Sequence, residues 1–291
     1  MDFQDDITFI VLNYNIFKET IECVESIKNN IDTSKYHIII VDNCSPNGVG
    51  HDLEEKYKDD QKVFVHITNN NLGFAKGNNI GIEIARKLYN PKFVCCLNND
   101  TVFIQNNYIS ILNRLYKEHK YAVVAPKVYL RDGTVQPLYG YLKSKSYYKK
   151  EVMRSRGIGL QGLYQRFKNV LKRCSVVKYV YTYLKNKRPS LNPNCPYKNI
   201  LLHGCCLIFT PAFFEKLSGF NNKTFMYIEE ELLYVSLMRN GLENYYCPDL
   251  VIKHLEDIST DSIIKSNSEK QKFIHKNRAD SLKVLINELE S

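Results

Sequence analysis

Four short runs of apolar, β-branched residues constrain this chain more than any other feature. They are 7–12 (ITFIVL), 37–41 (HIIIV), 63–67 (VFVHI) and 93–97 (FVCCL). Continuous apolar runs of this length fit strands buried on both faces of a parallel sheet. Helical spacing follows between them: Ile21, Val24 and Ile27 within 20–28, then 80–88 and 109–118, with a further strand at 122–125. Strands alternating with helices imply βαβ units and a mostly parallel sheet. Polar clusters at Asn13, Asp42 and Asn98-Asn99-Asp100 each close a strand. Ligands of open parallel sheets bind at the carboxyl ends of the strands.

The second half of the chain is less regular. Residues 201–209 (LLHGCCLIF) return to the core, 211–217 read as a short helix, and a helix after residue 228 runs to Arg239 and stops at Asn240-Gly241. A strand follows at 245–252 with His254 just after it, and 271–289 form a terminal helix. The 291 residues allow one large α/β domain, or one domain with an appendage. With 44% hydrophobic and 24% charged residues, wholesale disorder is excluded. No run approaches the roughly 18–20 apolar residues of a membrane span, and the start lacks the basic and apolar regions of a secretory signal. Nine cysteines without a CxxC spacing read as reduced thiols in a cytosolic protein.

The formal charge of +9 is unevenly placed. Residues 141–190 carry 14 Lys/Arg and a single acid, Glu151, which leaves the remainder mildly acidic. A nucleic-acid-binding body is therefore not expected. The segment is rich in tyrosine, and Leu163, Phe167, Val170 and Leu171 make an apolar helical stripe among basic residues. Such a helix suits an anionic bilayer surface or an acidic glycan, and equally a solvated excursion packed on the main domain.

Four constellations can carry chemistry. Asn98-Asn99-Asp100 offers a hard oxygen site for Mg2+ or Mn2+, although it is also good turn chemistry. Glu229-Glu230-Glu231 opens a helix, where acids are favoured by the dipole; it also suits a general base whose pKa is raised by like-charged neighbours. His254 is followed by Glu256, Asp257, Ser259 and Thr260, and His203 sits beside Gly204. The run Asn71 to Gly81 places glycines and amides ahead of a helix, an anion-friendly arrangement that is neither a Walker loop nor a dinucleotide GxGxxG.

The ordered set Val11-Leu12-Asn13-Tyr14-Asn15, Val41-Asp42-Asn43-Cys44-Ser45, Asn71-Leu72-Gly73-Phe74-Ala75 with Gly77-Asn78-Asn79-Ile80-Gly81, Leu97-Asn98-Asn99-Asp100-Thr101, residues 225–230 and His254 resembles a family-2 glycosyltransferase. Its closest flavour is the rhamnosyltransferase-like bacterial branch. The resemblance covers 7–135 and 200–260. It implies an α/β GT-A fold, Rossmann-like, with a mostly parallel central sheet. The expected domain spans 1–262, is interrupted by the basic insert at about 140–198, and is followed by a helical tail at 263–291. By resemblance, Asp42 recognises the nucleotide base, while Asn13, Asn43, Asn71, Gly73, Asn78, Asn98 and Asn99 approach the nucleotide-sugar. Asp100 is the metal ligand, with His254 joining the metal or diphosphate. Asn98 stands where the family's first Asp would be, which removes one charge. Glu230, or Glu229 beside it, is the catalytic base.

The activity so implied is metal-assisted, inverting transfer from dTDP-rhamnose or a UDP-sugar to a lipid-linked or cell-surface polysaccharide. The expected partners are the donor, a glycan acceptor, an anionic membrane surface met through 141–190, and no nucleic acid; a homo-oligomer stays open. The expected location is cytoplasmic, at the inner face of the membrane. Two other classes remain: a nucleotidyltransferase, which would normally carry glycines in the first loop where this chain has Asn13-Tyr14-Asn15-Ile16-Phe17-Lys18, and a non-catalytic scaffold.

Overall fold

The computed structural model describes residues 2–156, 191–255 and 267–291. The apolar runs form β1 (Asp5–Asn13), β2 (Tyr36–Asp42), β3 (Val63–Ile67) and β4 (Pro91–Asn98). They pair in parallel in the order β3-β2-β1-β4. Alternate side chains enter two different cores. Ile7, Phe9, Val11, Ile38, Ile40, Phe93 and Cys95 face one side, where α1 (Lys18–Asn30), α2 (Val49–Tyr57) and α4 (Tyr108–His119) pack. Ile10, Ile39, Val41, Val94 and Cys96 face the other, against α3 (Gly73–Leu88). Both faces of these strands are dry, which is why their sequences are unbroken apolar runs rather than alternating ones.

The sheet continues beyond β4 with mixed directions. β8 (Cys206–Phe209) runs antiparallel to β4 and to β6 (Val123–Tyr129); β9 (Asn244–His254) is parallel to β6. β5 (Thr101–Phe103) and β7 (Tyr197–Lys198) are short antiparallel partners of β9. Pairing of Thr101 with His254 brings the turn after β4 beside the end of β9. His254 is thus the last residue of a strand and not the first beyond one. Only 206–209 of the apolar stretch 201–209 is strand.

Helix α3 begins at Gly73, seven residues before the start expected from periodicity. Its Gly77 and Gly81 lie directly on Leu12 and Ile10 of β1, so the glycines permit close helix–sheet packing instead of marking a loop. After α5 (Lys145–Arg156), the stripe containing Leu163 and Phe167 lies outside the described residues, as do Glu256, Asp257, Ser259 and Thr260. Helix α6 (Pro211–Phe214) follows β8, and α7 (Glu229–Arg239) carries the three glutamates. The terminal α8 (Asn267–Glu288) packs with α5 and α7 in a third cluster of Tyr148, Val152, Ile228, Leu232, Val235, Leu282 and Leu285. Among the described residues, no helix is long and apolar enough to cross a membrane.

Candidate active site

A cavity of about 550 Å3 opens at the carboxyl ends of β1 and β4. Asn13, the last residue of β1, is fully buried and ties three elements together. It donates from Nδ2 to Asp42 Oδ2 at 2.7 Å, and its Oδ1 accepts from Thr20 Oγ1 and Asn99 Nδ2, both at 2.9 Å. Asp42 also accepts from the Ser45 amide at 2.8 Å and the Ser45 hydroxyl at 2.6 Å. It is fully buried behind Asn13 and does not line the cavity.

The amides of the 71–78 segment divide into two groups. Asn43 lines the cavity and fixes the entry to α3, with Nδ2 donating to Gly73 O at 3.0 Å and Oδ1 accepting from the Leu72 amide at 2.9 Å. Asn71 Oδ1 accepts from the Gly73 amide at 3.0 Å. Gly73 has φ +80°, and a Cβ there would overlap the carbonyl of Phe225, which accepts from the Phe74 amide at 2.9 Å. Only glycine fits this crossing. Asn78 is buried away from the cavity: its Nδ2 donates to Phe74 O at 3.0 Å, and its Oδ1 has no partner among the described residues.

Asn98, Asn99 and Asp100 line the cavity at the end of β4, with His254 opposite. His254 Nε2 lies 3.0 Å from Asp100 Oδ1, and both residues are buried. His254 Nδ1 has no hydrogen-bond partner among the described residues. His203, whose ring packs edge-on to His254 with centroids 5.8 Å apart, is held neutral, its pKa lowered to about 4 by burial and then by His254. No group of three or more His, Cys, Asp or Glu side chains that could hold a metal occurs among the described residues. One carboxylate and one imidazole cannot enclose a divalent cation, but they fit a cation whose remaining oxygens come from a bound diphosphate and water.

The glutamates enter from α7. Tyr227 (φ +72°) and Ile228 (φ +71°) precede it in left-handed conformation, an unfavourable state for both side chains that swings the helix start into the cavity. Glu229 is 6% exposed and accepts from Thr224 Oγ1 at 3.3 Å. Glu230 is half-buried and accepts from the Gly204 amide at 3.2 Å; a Cβ at Gly204 would press on the Glu230 carboxylate and shift it. Burial first, and then the next glutamate along the helix, raises each carboxyl: Glu230 acts on Glu229, which reaches about 8, and Glu231 acts on Glu230, which reaches about 7. The helix amides act in the opposite direction but do not win. A carboxyl poised near neutrality and reachable from a cavity has the character of a general acid or base.

Asn13, Asn43, Asn71, Gly73, Asn98, Asn99, Asp100, Glu229, Glu230 and His254 therefore share one cavity, whereas Asp42 and Asn78 stand behind its wall. Sequence reasoning missed Thr20, whose only signal is a polar side chain on the buried face of α1. It also missed Tyr139 and Arg278, which line the same cavity; Lys143, Tyr147 and Tyr148 line it too and belong to the basic, tyrosine-rich segment 141–190, which the sequence marks as a whole without pointing to this cavity.

The family described as glycosyl transferase family 2 matches residues 8–178, more than half of the chain. The low-salt glycan biosynthesis hexosyltransferase Agl10 of Haloferax volcanii is 23% identical over 226 residues, 78% of this chain and 59% of that protein. The chain thus spans less than two thirds of that relative's length. GalNAc-T7, solved with UDP, GalNAc and Mn2+, superposes with a TM-score of 0.59 at 13% identity, covering 88% of this chain and 44% of GalNAc-T7. TarS 1-349 of S. aureus gives 0.53 at 15% identity, covering 95% and 72%. These likenesses establish the GT-A fold.

Proposed function

Since this chain belongs to glycosyl transferase family 2, we propose that it transfers a sugar from a nucleotide-diphospho-sugar to an acceptor hydroxyl with inversion. The single observation that carries the reading is that Glu230, raised to about 7, opens into the same cavity as the Asp100–His254 pair. Base and leaving-group site thus face one enclosed space. The donor is dTDP-rhamnose or a UDP-sugar, and the acceptor is a lipid-linked or cell-surface glycan. The neighbours' names support this class: one is a glycan-building hexosyltransferase, and another was solved with UDP and Mn2+.

Asn13 and Asn99 orient the nucleotide end, and Asp42 acts by holding Asn13. Asn71 and the backbone at Gly73 approach the nucleotide-sugar. Asp100 and His254 would hold Mg2+ or Mn2+, which when bound neutralises charge developing on the departing diphosphate. Glu230 takes the proton from the acceptor hydroxyl as that oxygen attacks the anomeric carbon from the face opposite the leaving group. A single displacement inverts the configuration through an oxocarbenium-like transition state. Glu229 is the more deeply buried of the two and keeps its proton to about pH 8, so Glu230 and not Glu229 is taken as the base. The reading also places the chain in the cytoplasm, with the basic segment 141–190 against an anionic inner membrane face.

Release of nucleoside diphosphate from a panel of UDP- and dTDP-sugars, with and without Mn2+, tests the proposal. Glu230→Gln is expected to lower transfer by about 10²–10⁴-fold while leaving nucleotide binding intact. Wild-type turnover in that variant would overturn the assignment.

A further inference from the structure

Part of the cavity wall comes from outside the sheet. Lys143 precedes α5, Tyr147 and Tyr148 lie in its first turn, and Arg278 projects from α8. Their positions are fixed by packing. Tyr148 is buried and its hydroxyl accepts from the Lys143 amide at 3.2 Å. Lys145 and Lys149 of α5 reach Glu290 at 3.0 and 3.3 Å, and Ser281 of α8 donates to Met226 O at 2.9 Å, just ahead of the glutamate helix.

The side chains of Lys143 and Arg278 are exposed, and neither forms an ion pair or side-chain hydrogen bond among the described residues. Arg278 is near enough to Glu230 and Glu231 to favour their charged forms, yet it does not reach bonding distance of either. Two cations thus face the space beside Glu230 without a partner among the described residues. Tyr139 and Tyr147 flank them, 46% and 42% exposed as residues; the Tyr139 ring stacks on His203, which leaves its other face, with the Tyr147 ring, as aromatic surface for a sugar ring. In the reading above, the donor's diphosphate is assigned to Asp100 and His254, which stand just after β4 and at the end of β9 and not on these helices.

Resting on the donor and acceptor assignment above, we propose that Lys143 and Arg278 bind an anionic group carried by the acceptor. The acceptor is then a phosphate- or carboxylate-bearing sugar and not a neutral one. A guanidinium fork matches either anion through paired hydrogen bonds, and the ammonium adds a point charge. The rings hold the sugar while its hydroxyl meets Glu230.

Ligand-observed NMR titration of the full chain tests this, using glucose 1-phosphate, glucuronate and methyl glucoside as probes, with and without UDP, dTDP and Mn2+. With nucleotide bound, at least one of the charged sugars is expected to bind about tenfold more tightly than methyl glucoside, as one charge-assisted contact implies. The preference for phosphate or carboxylate tells which anion the acceptor carries. Arg278→Gln and Lys143→Gln, on two separate elements, should each remove most of that preference while nucleotide affinity stays within about twofold, since neither touches the donor. Equal affinity for charged and neutral sugars in the unaltered chain would overturn the proposal. So would parallel loss of nucleotide binding in Arg278→Gln, because the cations would then serve the donor's diphosphate. Failure of the unaltered chain to bind either nucleotide would instead overturn the donor assignment; the sugar titrations without nucleotide report on the cations independently.

Discussion

Two adjacent glutamates with raised pKa values have different surroundings, and the proposed division of roles between them rests on that difference. Glu229 is packed against Thr224 at the base of α7, while Glu230 meets the Gly204 amide at the cavity surface. A base must lose its proton to act, so transfer should rise with pH through an acidic limb near 7, set by Glu230. A pH–rate profile of kcat/KM flat from pH 5 to 8 would contradict this. Stability moves the other way. The folded Glu229 keeps its proton to about pH 8, whereas an unfolded glutamate loses it near 4.5. Between those values the native state binds more protons than the unfolded state, so stability falls as pH rises. His203, lowered to about 4, opposes this trend from its folded value up to its ordinary value of 6.5. Comparison of Glu229→Gln with the unaltered chain isolates the glutamate contribution. The variant should have similar stability at pH 5 and be more stable by on the order of a few kcal/mol at pH 9, measured by urea unfolding.

Helix α3 shows what separates a legible element from an illegible one. Strands β1 to β4 are readable because burial on both faces forces apolar runs into the sequence, and Val63–Ile67 appears with its own limits. The first two turns of α3 read as loop because their glycines and asparagines answer to contacts far away in sequence. Gly73 makes room for Phe225, and Gly77 for Leu12. β5, at three residues, is too short to show a period, and it is pairing with β9 that makes His254 a neighbour of Asp100. The motif residues were legible one by one; that Asp42 and Asn78 stand behind the wall depends on packing alone. Gly73→Ala therefore tests a contact and not a propensity. It should cost at least about 2 kcal/mol through positive φ and the clash with the Phe225 carbonyl. It should also raise the KM for donor, since the 225–228 loop leads into α7. Stability within about 0.5 kcal/mol of the parent would show that the crossing is loose.

At the scale of the whole molecule, the cavity is built from two bodies of structure that the sequence presents as unrelated. The sheet supplies the amides, Asp100 and His254. The glutamates arrive on α7, whose outer face is covered by α5 and α8 through Ile228, Leu232, Val235, Leu282 and Leu285. This cluster also opposes the left-handed backbone at Tyr227 and Ile228, strain of roughly 1–3 kcal/mol per residue that persists only where the surroundings enforce it. The terminal helix, which lies beyond the segment matched by the family, thus packs on the helix that carries Glu230. Leu285 is fully buried and more than 50 residues from the glutamates in sequence. Leu285→Ala should cost about 2–5 kcal/mol in urea unfolding, as for other buried leucines. If the cluster only adds stability, kcat at low temperature, where the variant remains folded, will match the parent. If it holds α7 against its strained entry, kcat will fall severalfold there while nucleotide affinity, set by the sheet, stays unchanged. The second outcome is expected, because the strain lies directly between Leu232 and the loop that crosses Gly73.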